Sequence, residues 1–220
     1  MKKLMIGIFA HPDDEAFGPS GTLLKLHDEG YDIHLILLTD GEAGSNLDDS
    51  PSLGSTRLTE WQMAANIMGA ASTHALHYPD GKLGTIPRRE IGEKVQRIIG
   101  DIVATYAKPI VYAYMTFEPN GLTGHHDHIV ASRLTTKIAE QDEGVTVWYF
   151  CLDSAQAPLT GTAYYEPRAR EDTYITDRVD VSQYLTLKYE IMDAHVSQRV
   201  DVATMKKLGG TTECFHIDQF

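Results

Sequence analysis

Cysteine is almost missing: the 220 residues hold two, Cys151 and Cys214, far apart in the chain. That scarcity excludes a disulfide-stapled secreted scaffold and a cysteine-based metal site, and leaves reduced thiols in a cytoplasmic protein as the expectation. Basic charge is also short. Lys and Arg number 19 against 31 Asp and Glu, a formal net charge of −12. With no Lys/Arg cluster to override it, this balance argues against a nucleic-acid partner. No apolar run approaches the roughly 20 residues that a membrane-crossing helix needs. The stretch after Met1-Lys2-Lys3 is too short for a signal peptide, lacks a cleavage-like segment and runs straight into His11. Repeats, low-complexity tracts and linkers are absent too, so residues 1–220 read as a single domain.

What the chain does have is alternation. Apolar runs at 3–10, 32–39, 73–77, 109–114 and 146–150 predict strands, and helical patterns occupy 18–29, 55–68, 89–106 and 128–140. In the third helix Val95, Ile98, Ile99, Ile102 and Val103 form the apolar stripe, and Gly30, Gly69 and Gly144 stand where helices should end. Such a sequence predicts an α/β, Rossmann-like fold, a mostly parallel sheet with helices on both faces. Segments 40–54 and 115–124 are polar and turn-rich and should be loops at the ligand-binding edge. Residues 152–170 read as a long surface excursion, 174–181 as a late strand and 183–195 as a late helix.

The chemistry concentrates at two strand-to-helix junctions. Ala10-His11-Pro12-Asp13-Asp14-Glu15 follows the first strand, where a histidine and adjacent carboxylates are costly unless something binds them. Gly124-His125-His126-Asp127-His128 follows the fourth. A hydrolytic zinc takes three protein ligands and keeps a position open for water. His11 and Asp14 can supply two ligands, and His128 is the best third. His125 and His128 are spaced i, i+3, so one can ligate while the other leans over the open position. Asp13, beside ligand Asp14, is then placed as general base, and a protonated His125 as stabiliser of the charge on an attacked carbonyl. Asp127 can hold a histidine ring from behind, and His126 receives no role.

Each segment has a plainer explanation when taken alone: aspartates capping a helix in the first, a polar helix start in the second. Their meeting at one sheet edge favours a metallohydrolase. Arg57 and Glu60, at i, i+3, could be a surface ion pair or bring Arg57 to a substrate, and Asp40, Glu42 and Asp80 could be turn residues or site walls. His27, His34, His74, His77 and His216 match no ligand spacing.

With these motifs in hand, the sequence resembles the PIG-L/LmbE family of metal-dependent N-deacetylases acting on N-acetylglucosaminyl compounds. The matching pieces are residues 10–15, Thr39-Asp40-Gly41-Glu42-Ala43-Gly44, Arg57 with Glu60 followed by Gly69-Ala70, residues 124–128, and Lys188 through Ala194-His195, Ser197 and Gln198. The resemblance implies a Rossmann-like fold with zinc as the usual metal. It implies metal ligands at His11, Asp14 and His128, the base at Asp13, the intermediate-stabilising histidine at His125 with Asp127 as its carboxylate partner, and substrate contact by Arg57. It also lends His195 a place at the site and implies a homo-oligomer, since some members form hexamers. Two departures stand out: His126 where members commonly have Pro, and Thr123 where some mycothiol-pathway members have Tyr.

The expectation is therefore a soluble enzyme using Zn²⁺, or Fe²⁺ or Mn²⁺ on the same ligands, to remove an acetyl group from an N-acetylated sugar or sugar conjugate. Rival functions are an amidase acting on a larger conjugate and a metal-binding protein without catalysis. A nucleotide-binding module is disfavoured, because no Gly-rich phosphate loop follows the first strand.

Overall fold

The computed structural model describes residues 1–157 and 166–220, and builds one seven-stranded sheet between two helical layers. It begins with β1 (Lys2–Phe9), whose Leu4, Met5, Ile6, Ile8 and Phe9 are all buried. An apolar run without polar alternation is what a strand covered on both faces requires. A short helix α1 (Asp14–Phe17) and α2 (Ser20–Asp28) lead to β2 (Tyr31–Thr39). Then come α3 (Leu53–Met68), β3 (Ser72–Tyr78), α4 (Arg88–Ala104) and β4 (Ile110–Phe117). The single turn α5 (Gly121–Gly124) precedes α6 (His126–Ala139) and β5 (Thr146–Cys151). The rest is β6 (Asp177–Asp180), α7 (Leu185–Asp193), α8 (Arg199–Leu208) and β7 (Thr212–Gln219).

Strand order is β3-β2-β1-β4-β5-β7-β6. The first five pair in parallel, as the β–α alternation predicts. Because β1 lies between β2 and β4, the chain moves outward on one side of β1 and then returns to the other. The crevice beyond the C-terminal ends of β1 and β4 is thus the topological switch point, where ligands bind in open α/β sheets. Both His-rich segments leave from those ends.

The far edge differs from expectation. β7 runs antiparallel to β5, and β6 antiparallel to β7. Neither β7 nor α8 is evident from the sequence pattern, and the late strand contracts from 174–181 to β6. The expected excursion at 152–170 lies partly outside the described residues. Its described ends meet where Leu152 pairs with Ala169.

Helices α4 and α6 cover one face, and α1, α2, α3, α7 and α8 pack together on the other. The α4 stripe buries Ile91, Val95, Ile99 and Ile102. On the opposite face a buried ion pair ties elements distant in sequence. Lys188 Nζ lies 2.5 Å from Glu213 Oε1 and donates to Gly18 O at 2.8 Å. Glu213 also accepts the N–H groups of Gly21 (3.0 Å) and Thr22 (2.7 Å) at the start of α2, where a helix dipole favours negative charge. This pair ties the α1–α2 corner to α7 and β7. Among the described residues no helix is long and apolar enough to cross a membrane.

Candidate metal centre and active site

After β1 the chain turns sharply. Asp13 takes φ 125°, a left-handed conformation uncommon for a residue with a Cβ. Holding it there costs about 1–3 kcal/mol, and such strain persists where the surroundings over-determine it. The restraints here are Phe17 N–H donating to Asp13 O at 2.8 Å and Arg57 Nη2 donating to Asp13 Oδ2 at 2.9 Å. The turn brings Asp14 back toward the strand, where its Oδ2 accepts the backbone N–H groups of Ala10 (3.1 Å) and His11 (2.6 Å).

The side chains of His11, Asp14 and His128 then converge. His11 Nδ1 lies 3.1 Å from His128 Nε2 and 3.5 Å from Asp14 Oδ2, and His128 Nε2 lies 3.2 Å from Asp14 Oδ1. Ligand bonds of ~2.0–2.1 Å in a tetrahedron place neighbouring ligand atoms about 3.3 Å apart. The His11–His128 nitrogen pair and the His128–Asp14 Oδ1 pair lie near that spacing, and a His125 ring nitrogen lies within 4.8 Å of those of the same two histidines. His128 Nδ1–H donates to Gly121 O at 3.2 Å, which directs the Nε2 lone pair to the cluster. The ring also stacks flat on Phe117, centroids 4.0 Å apart and planes 2° from parallel.

Electrostatics match this chemistry. Burial alone would lower the His11 pKa, but the carboxylates of Asp127, Asp14 and Asp80 raise it well above normal. Burial would likewise raise Asp14, yet the His128 and His11 imidazoles hold it well below the usual carboxylate range. The cluster therefore draws positive charge. Asp13 behaves oppositely: burial pushes its carboxyl up to about 7, with Arg57 opposing the rise. Burial, assisted by the neighbouring His128 and His11, holds His125 down to about 4. Its Nδ1 accepts the Asp127 N–H at 3.2 Å, so the neutral ring carries its proton on Nε2.

His125 stands beside the cluster, its ring centroid 4.6 Å from His11 and 4.8 Å from His128. The Asp127 carboxylate takes the N–H groups of Gly81 (2.7 Å) and Leu83 (3.2 Å), and its Oδ2 lies 3.6 Å from His11 Nε2. It thus backs His11 and anchors the turn after β3. Asp80 also faces His11 Nε2, at 3.0 Å, and accepts the N–H of Ala43 from the 40–54 loop. Arg57 is buried and held by the protein: Nη1 donates to Gly41 O at 2.6 Å, and Nη2 to Pro12 O and Asp13 at 2.9 Å. A Cβ on Gly41, whose φ is +68°, would lie 2.6 Å from the Arg57 guanidinium carbon, so this close approach needs glycine.

His11, Asp13, Asp14, Arg57, Asp80, His125 and His128 line an open cleft of about 450 Å³ whose rim includes Ala43, Ser45, Gln198 and Asp201. Asp201 lies beyond every sequence motif and carries no spacing signal. Glu60 joins the wall indirectly, accepting from Ser197 N (2.8 Å) and Oγ (2.6 Å), while Gln198 Nε2 donates to Ser45 O at 3.0 Å. His195 is fully buried, beside Phe17 rather than in the cleft lining, and burial with nearby Arg57 lowers it to about 3.

Residues 6–139 match the family model described as PIG-L, GlcNAc-PI de-N-acetylase. A 1D-myo-inositol 2-acetamido-2-deoxy-alpha-D-glucopyranoside deacetylase from Saccharomonospora viridis is 27% identical over 226 residues, covering 88% of this chain and 84% of the relative. N,N'-diacetylchitobiose deacetylase from Pyrococcus horikoshii superposes with a TM-score of 0.67 at 21% identity, covering 99% of this chain and 84% of the other. The fold is also that of 4-carboxy-2-hydroxymuconate hydratase from Pseudomonas putida, with a TM-score of 0.72 at 15% identity and coverage of 99% and 96%. The match to the family model spans more than half of the sequence, and the chain belongs to the PIG-L family.

Proposed function

We propose that this protein is a divalent-metal-dependent N-deacetylase that hydrolyses the acetamide of an N-acetylglucosamine-type sugar or conjugate. The observation that carries the proposal is the convergence of His11, Asp14 and His128 within 3.1–3.5 Å of one another, with Asp13 and His125 beside them. His11 Nδ1, an Asp14 oxygen and His128 Nε2 would hold the metal. Two imidazoles and a carboxylate suit Zn²⁺, and Fe²⁺ or Mn²⁺ fit the same donors. When bound, such an ion acidifies a water and polarises a carbonyl.

The remaining work falls to the chain. Asp13, with its carboxyl near neutrality and one oxygen held by Arg57, accepts the proton of the attacking water. His125 presents Nε2–H to the carbonyl oxygen as negative charge builds there. The C–N bond then breaks as Asp13 returns its proton to the departing nitrogen, and the remaining hydroxyl proton passes from the acetic acid to the amine, leaving acetate and the ammonium form of the sugar. Arg57 keeps Asp13 aimed, and Asp80 and Asp127 orient His11. At about 450 Å³ the cleft suits one or two sugar rings, in keeping with the N-acetylated sugars named for the relatives. The proposal includes a cytoplasmic enzyme, in accord with the low cysteine usage.

The test is acetate release from N-acetylglucosamine, N,N'-diacetylchitobiose and N-acetylglucosaminyl-inositol by zinc-loaded and chelator-stripped protein. Release that is lost on stripping and regained with zinc supports the proposal. No release from any of them, with one zinc bound per chain, refutes it.

A further inference from the structure

The loop that delivers His125 and His128 is held in an unusual shape by a carboxylate outside the cleft. Glu118, the first residue after β4, is buried and spends its side chain on the loop. Its Oε2 accepts the Asn120 N–H at 3.0 Å and its Oε1 the Leu122 N–H at 2.8 Å. Between these bonds lies a strained turn, because Leu122 has φ 61° and ψ −52°. Few residues other than glycine adopt such a conformation. The preceding carbonyl, Gly121 O, is the one that accepts His128 Nδ1–H. A Cβ on Gly121 would lie 2.9 Å from His128 Cβ, so the turn is pressed against the histidine.

The returning limb of the excursion after β5 braces the same turn. Arg168 N–H donates to Leu122 O at 2.9 Å, and Arg170 N–H to Leu152 O at 2.7 Å. The Arg170 Nε lies 3.3 Å from Glu118 Oε2, and its guanidinium covers the Tyr174 ring at 4.1 Å. Glu118 thus receives two backbone donors and one cation, and one of those donors, the Leu122 N–H, belongs to the peptide whose carbonyl orients His128.

We propose that Glu118, braced by Arg170, is a positioning residue for metal binding: it holds the 120–122 turn in its strained form so that Gly121 O keeps His128 Nε2 aimed at the ligand cluster. This rests on the metal reading above. Its mark should be zinc affinity itself, before any substrate is present.

In Glu118→Gln one acceptor oxygen becomes an NH₂ group facing a backbone donor and Arg170, and the turn should relax. Zinc affinity, measured by competition with a chromophoric chelator, should fall about 10- to 100-fold, the range expected for groups that orient metal ligands. Leu122→Gly removes the strain by another route, since glycine accepts positive φ. In the E118Q background it should recover most of the lost affinity. If E118Q does not fold, Glu118→Asp keeps the charge but is too short for both amides, and it carries the same expectations, alone and with Leu122→Gly. Affinity within twofold of the parent in the folded variant overturns the proposal. So does a loss that Leu122→Gly leaves unchanged, since the turn would then not be the route. Absence of zinc binding in the parent protein overturns the metal reading first and this inference with it, and it is distinguishable because no substitution is involved.

Discussion

Replacing Lys188 with Met tests the buried ion pair between α7 and β7. Lys188 and Glu213 are 3% and 2% exposed, so solvent cannot replace the lost partner. Removing one member of a buried pair typically costs about 3–5 kcal/mol, mostly from the charge left behind. Glu213 keeps the N–H groups of Gly21 and Thr22, and we therefore place Lys188→Met at the lower end, about 3 kcal/mol. For a chain of this size that lowers Tm by about 6–12 °C. Adding Glu213→Gln to Lys188→Met removes the stranded charge and should restore about 1 kcal/mol or more, a coupling within the usual range for contacting residues. Urea and thermal unfolding followed by circular dichroism, on both single variants and the double, give the cycle and the Tm values. Acetate release well below Tm should be unchanged, because Lys188 does not line the cleft. A Tm loss under about 2 °C, or fully additive single effects, would show that the network does not bind these elements as argued.

Three further outcomes are expected. Asp13→Asn should reduce kcat about 10²- to 10⁴-fold while metal content, read by atomic absorption, stays stoichiometric; retained turnover removes Asp13 as the base. In Gly41→Ala the new Cβ displaces the guanidinium of Arg57, and kcat should fall on the order of 100-fold by misplacement of Asp13, with an unaltered rate counting against the Arg57 role. Burial holds His34 down to about 4 against its ordinary 6.5. The unfolded chain then takes up the proton first as pH falls, so the stability from neutral His34 is complete above 6.5 and declines toward pH 4. That slope is up to about 1.4 kcal/mol per pH unit, less where water reaches the ring. His34→Gln should flatten it between pH 7 and 5 in urea titrations, and parallel curves for parent and variant would be the contrary result.

The parallel half of the sheet was legible because β1 and β2 are buried on both faces and declare themselves as unbroken apolar runs. The edge was not. β7 hides a buried glutamate, Glu213, among polar neighbours, and its burial makes sense only once Lys188 and the α2 N-terminus are beside it. Residues 11–14 and 125–128 could be paired from sequence because each follows a strand and the switch-point rule puts such ends together. Their finer relations could not. That Asp127 backs His11, that Arg57 grips Asp13, and that Glu118 shapes the turn before His125 all depend on crossings between segments distant in the chain.

The flat stack of His128 on Phe117 has a thermodynamic consequence of its own. Phe117 is itself buried and meets Phe9 edge to face, centroids 5.6 Å apart, so the surface under the imidazole is rigid. Freezing a free side chain during association commonly takes about 0.5–1.5 kcal/mol of entropy. Here the ring's torsional freedom is given up once, when the chain folds, and is not given up again at metal binding. The metal-free and metal-loaded proteins should therefore share one backbone, and bound metal should raise Tm through mass action, without refolding the site.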